Sequence, residues 1–214
     1  MTERAVKLTR FSFVAAPVLL VVYGSIRLLA PASKEPGAAW IIGHLAFLGG
    51  ALLLAPVCGG LRRAAVGSAG AARRRVVRTA WAVALAGVAA ASAQAIIDIY
   101  VGFRAADKPE MSDIFDRVQS LPGVLPLVYT VVPLFLYIGM IALLATLKGP
   151  GAARSLVLFV LGTLAIAVNL DLLPIGGLCY LLAFIPLRHR VATPQAAVPG
   201  RPVPAGDGAV GPRA

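Results

Sequence analysis

The chain is poor in charge, in acids above all, and in the residues that carry covalent and metal chemistry. Only 14% of its 214 residues are charged, and nine are acidic. A soluble domain carries about 25% charged and about 45–50% apolar residues. Here the apolar share is 59% and mean hydropathy is +0.85. A soluble enzyme and a solvated disordered chain are both excluded. There are two cysteines, Cys58 and Cys179, far apart and inside apolar segments. They form no C-x-x-C, so thiol redox and zinc have no basis, and each reads as a small hydrophobe. Of the two histidines, His44 and His189 are expected at opposite depths, which excludes a bis-histidine haem. H-E-x-x-H, G-x-S-x-G and a lysine-bearing glycine-rich phosphate loop are all missing. No cofactor and no metal ion is expected.

What is present is apolar sequence in long runs. Spans are expected at about 11–30, 39–57, 77–103, 124–147, 152–168 and 172–187, each close to what a hydrocarbon core of about 30 Å needs. Ala30-Pro31-Ala32 faintly resembles a signal-peptidase site. The long apolar run, Arg27 and Pro31 argue instead for an uncleaved first helix. Gly59–Arg75 reads as a polar, arginine-rich loop, with a flexible linker at Gly67-Ser68-Ala69-Gly70. The third span is alanine-rich, and Gly87 and Ala91 stand four apart, a spacing that lets helix backbones approach closely. Asn169, Asp171, Pro174, Gly176 and Gly177 divide the last 34 apolar residues into two short helices. Residues 188–214, rich in Pro and Gly, read as a disordered tail.

The expected fold is therefore an all-α, six-helix transmembrane bundle over residues 1–187. The formal charge of +11 supports it through its distribution. On the side of the two termini lie 15 of the 20 basic residues with two acids; the other side has five basic residues and seven acids. That is the positive-inside pattern of a plasma-membrane protein with both termini cytoplasmic, not a nucleic-acid stripe. The expected partner is the lipid bilayer, with no nucleic acid; a homo-oligomer is left open.

Asp107–Leu121 reads as a short amphipathic helix on the outer side. Asp107 and Glu110 form a capping pattern, and Met111, Ile114, Phe115, Val118 and Leu121 share one face. It is either a connector in the headgroups or a lid over an outward-facing site.

Ionisable groups within a span cost roughly 2.5–3.5 kcal/mol each at mid-depth, so each is a candidate site residue. Arg27, His44, Gln94, Asp98, Asn169 and Asp171 all fall in the outer leaflet. Pro126, Thr130, Pro133 and Tyr137, spaced four, three and four, are expected on one face of the fourth span. The candidate ligand-binding set is thus Arg27, His44, Gln94, Asp98, Thr130, Tyr137, Asn169 and Asp171. Each has a plainer reading. Arg27 can snorkel, Asn169 and Asp171 can cap a turn, and Gln94 can bridge helices. Trp40 and Tyr100 read as interfacial aromatics. His44 and Asp98 lie too deep to reach water. Paired, alone or with Arg27, they are either a structural tie or a proton-handling or ligand-binding site.

The second span reads Trp40…His44…Gly49-Gly50…Gly59…Leu61-Arg62-Arg63. This resembles a pattern in small multi-pass membrane proteins of actinobacteria, over about a tenth of the chain. Arg outnumbers Lys by 16 to 4, which fits. The resemblance implies a membrane location and no particular activity. Two functional readings follow from the residues. One is an outer-leaflet polar pocket that binds, senses or conducts a small solute or proton. The other is an intramembrane enzyme on a lipidic or isoprenoid substrate, with Asp98 as general acid and His44 orienting it. A structural partner in a larger complex is a third.

Overall fold

A computed structural model describes residues 2–66 and 70–190, and all regular structure among them is helical. The helices are α1 (Glu3–Leu29), α2 (Ala38–Val66), α3 (Ala71–Arg104), α4 (Lys108–Gln119), α5 (Val131–Ala145), α6 (Ala152–Val168), α7 (Leu173–Phe184) and the single turn α8 (Leu187–Arg190). Four segments are long and apolar enough to cross a membrane: α1, α2, α3 and Leu125–Ala145. The helix α6 and the segment Leu170–Phe184 are apolar but shorter. The expected tail lies outside the described residues except at 188–190, which are helical in α8. Most of the expected 67–70 linker lies outside them too.

The expected loop over 59–75 is helical at 59–66 and at 71–75. Helix α2 runs on to Val66 and α3 begins at Ala71. Hydropathy marks what sits in lipid, whereas Ala and Arg are both strong helix formers and continue a helix beyond it. Tertiary contacts hold these extensions. Arg63 donates to the Thr9 hydroxyl at 3.1 Å, Arg62 lies 4.4 Å over the Trp81 ring, and Arg73 donates to the Thr146 carbonyl. Helix α1 likewise starts at Glu3 rather than near Phe11.

The expected 124–147 span is a helical segment over Leu125–Ala145 that changes type within it. Leu125–Thr130 is a π-helical turn, and α-helix resumes only at Val131. Pro133 has no N–H to give and its ring crowds the carbonyl four residues back. The N–H of Val131 bonds to the Pro126 carbonyl, five residues back, and the widened turn absorbs the mismatch. The short helices at the end occur as expected, with a 3-10 turn at Leu170–Leu172 opening the second.

Packing runs in chain order: α1 on α2, α2 on α3, α3 on α5, α5 on α6, α6 on α7, and α7 back onto α1. The core between them is apolar and continuous, from Phe13 and Leu61 to Met140, Phe159 and Phe184. Phe13, Phe159, Tyr180 and Phe184 meet edge-on or stacked where α1, α6 and α7 converge.

Helix α4 is capped as its sequence suggests. The Asp107 carboxylate accepts from the Glu110 N–H at 2.9 Å, and Glu110 accepts from the Ala106 N–H at 2.7 Å. Its apolar face is shorter than expected, because the helix stops at Gln119 and Leu121 stays exposed. Met111 is buried with Val101 and Ala105, and Ile114, Phe115, Ile97 and Trp40 pack around them. The helix therefore seats on the C-terminal end of α3. Asp107→Ala should weaken it by about 1 kcal/mol. Hydrogen exchange should then quicken across 108–119 and leave α3 unchanged.

Candidate functional site

Two ionisable side chains meet beneath α4. His44, on the second turn of α2, and Asp98, on the last turns of α3, are 4% and 6% exposed. His44 Nε2 stands 3.5 Å from Asp98 Oδ2. Packing of α2 on α3 brings them together, and both lie one to two turns from a helix end on the same side of the bundle.

The histidine is oriented within its own helix. Its Nδ1 lies 2.8 Å from the Trp40 carbonyl, one turn back. A carbonyl can only accept, so Nδ1 carries a proton and Nε2 is the atom that changes role. Nε2 also faces the Tyr23 hydroxyl of α1 at 3.5 Å. Unprotonated, it accepts from Tyr23; protonated, it donates to Asp98. The other carboxylate oxygen, Oδ1, accepts from the Tyr129 hydroxyl at 3.2 Å.

Trp40 closes the site. Its indole N–H donates to the Asp98 carbonyl at 2.7 Å, and its ring lies 4.1 Å from the His44 ring. It is half-buried between Gly102 and α4 rather than free at the interface. A Cβ on Gly102 would overlap the indole, so only glycine admits the ring there. Phe115 of α4 reaches it at 6.0 Å. Tyr100, by contrast, is exposed as expected of an interfacial aromatic.

The other candidates divide. Arg27 pairs with Asp171, Nε to Oδ1 at 3.5 Å, with both side chains partly exposed. It does not join His44 and Asp98 in an ion pair, though it lines the same small cavity as His44 and Tyr23. Asn169 is exposed, and its side chain accepts from the Asp171 N–H at 2.8 Å, which caps the turn. Gln94 is partly buried one turn below Asp98 and makes none of the site's hydrogen bonds. The expected face of Pro126, Thr130, Pro133 and Tyr137 does not form. Thr130 is exposed and donates to the Leu125 carbonyl at 3.2 Å, and Tyr137 packs lower down against the core. The π turn rotates the register, so Tyr129 points inward where a regular helix would aim its neighbour. Tyr129 and Tyr23 escaped the sequence reading. Pro133 four residues after Tyr129 is the signal that could have exposed the first; Tyr23, one turn before Arg27, had none.

The cavity beside His44 holds about 10 Å³ and is lined by Tyr23, Arg27, Ser33, Trp40 and His44 among others. That is room for about one water and none for a solute or an isoprenoid chain. Chemically, the arrangement can hold one proton on Nε2 or on Oδ2, with the Tyr129 hydroxyl donating to Oδ1. Comparison with protein-family models, curated proteins and solved structures finds no match to this chain.

Proposed function

We propose that this chain is a six-helix plasma-membrane protein, both termini cytoplasmic, whose outer-leaflet site takes up and releases a proton on the His44–Asp98 pair. The observation that carries this reading is the approach of two buried ionisable groups at 3.5 Å beside space for a single water. The arginine bias toward the terminal side supports the orientation. Three features favour a proton over a larger solute. The cavity is too small for one, the Tyr129 hydroxyl donates to Asp98 Oδ1 whichever of the pair holds the proton, and α4 and Trp40 shut the site from above. The groups facing the pair are Tyr23 and Arg27 from α1 and Tyr129 from the turn before α5, and no second carboxylate stands among them.

The test is infrared difference spectroscopy on the full chain in nanodiscs, between about pH 5 and pH 9, where an imidazole–carboxylate pair changes state. A carbonyl band of a protonated buried carboxyl should appear or vanish together with an imidazole band. Asp98→Asn should remove the first and shift the second. If neither band changes in the wild type, or if both persist in Asp98→Asn, the pair is a structural tie and the reading is wrong.

A further inference from the structure

At the opposite, arginine-rich end of the bundle, a groove of about 800 Å³ opens along α1. Its wall is apolar, from Phe11 and Val18 on α1 to Leu53 on α2, and its mouth is formed by Arg10 of α1 and by Arg188 and His189 of α8. Phe11 is 62% exposed and Val18 38%. The mouth is rich in donors. Arg10 Nη2 lies 3.2 Å from His189 Nδ1, and Arg188 Nε lies 3.0 Å from His189 Nε2. A neutral imidazole has one lone pair and an imidazolium none, so the ring cannot accept from both guanidiniums. At least one guanidinium N–H aimed at the ring is therefore without an acceptor there. The one acid of the adjoining first turn, Glu3, is engaged by Lys7 at 2.6 Å.

We propose that this groove binds an anionic glycerophospholipid. Its phosphate offers acceptor oxygens to Arg10 and Arg188, whose guanidinium N–H groups the His189 ring cannot both satisfy, and an acyl chain lies along Phe11, Val18 and Leu53. The charge is complementary, and the donors stand at the end of an apolar slot that a lipid enters from the bilayer without leaving it. The inference rests on the membrane reading but not on the His44–Asp98 pair, so either can fail alone.

The experiment is native mass spectrometry of the full-length protein released from nanodiscs of equimolar phosphatidylglycerol and phosphatidylcholine. One phosphatidylglycerol should stay bound in preference to phosphatidylcholine. The Arg10→Gln/Arg188→Gln variant should lower that retention by about thirtyfold, the ratio two near-surface arginines supply. Val18→Trp, which fills the slot and keeps both arginines, should lower it too, while a saturating excess of inorganic phosphate should not compete. Circular dichroism and thermal unfolding report that each variant is folded. Equal retention of the two lipids overturns the proposal, as does undiminished retention in the arginine variant or displacement by phosphate alone. A lipid-free dimer would show a second copy of the chain in the groove and overturn it as well.

Discussion

Asp98→Ala is expected to cost about 3–5 kcal/mol of stability, the range for removing one member of a buried ion pair. Truncation removes the carboxylate from His44 Nε2 and strands the Tyr129 hydroxyl whose proton goes to Oδ1. Asp98→Asn keeps the shape and an acceptor for Tyr129, and should cost only about 1 kcal/mol, the net worth of an ordinary hydrogen bond. His44→Ala should be nearly as damaging as Asp98→Ala. The double variant should cost less than the two singles added, by about 1–3 kcal/mol of coupling. Thermal unfolding in detergent micelles reads all four. Additive losses would mean that the two side chains do not meet. A negligible loss in Asp98→Ala would mean that the carboxylate is solvated.

Part of this site was legible in sequence because depth in a bilayer is set by counting residues along helices. Residue counting from the neighbouring ends of two adjacent helices puts His44 and Asp98 at one level, and two buried ionisable groups at one level find each other. Depth says nothing of azimuth, and there the reading stopped. Whether Arg27 turns to His44 or to Asp171 depends on how α1 rotates against α2 and α7, which no periodicity of α1 records, since it is apolar nearly all round. Tyr129 was hidden for a sharper reason. Face assignments assume 3.6 residues per turn, and the π turn at Leu125–Thr130 breaks that assumption. Regular spacing puts Thr130 on one face with Pro126, Pro133 and Tyr137, whereas it is Tyr129 that reaches Asp98. The helix extensions past 59 and before 77 were missed because hydropathy reports solvent, not backbone. Helix α4 was readable almost to the residue, cap included, but amphipathicity could not say whether lipid or protein covers its face. Trp40, Val101 and Ala105 do.

The site also depends on a contact far from it. Helices α3 and α5 approach at two glycines that answer each other. A Cβ on Gly87 would meet the backbone of Leu136, and a Cβ on Gly139 would meet the backbone of Ala84 and Ala80. Backbone cannot rotate away as a flexible side chain can, so any larger residue must push the helices apart. Gly87→Ala makes the prediction sharp in sign. Ala is the better helix former by about 0.8–1 kcal/mol, so propensity alone would stabilise. Packing should reverse that, and Gly87→Val should cost about 3 kcal/mol or more, at or beyond the usual range for overpacking. Ala89→Val, exposed on the same helix, should cost little. Because α3 carries Asp98 and the turn before α5 carries Tyr129, separating the helices should also lengthen the Asp98–Tyr129 hydrogen bond. Gly87→Val should therefore shift the carboxyl band of Asp98 although it lies about three turns away, and Ala89→Val should not. Wild-type stability in Gly87→Val would mean that α3 and α5 do not pack through these glycines. An unshifted carboxyl band in a destabilised Gly87→Val protein would mean that Tyr129 is held by something other than the α3–α5 contact.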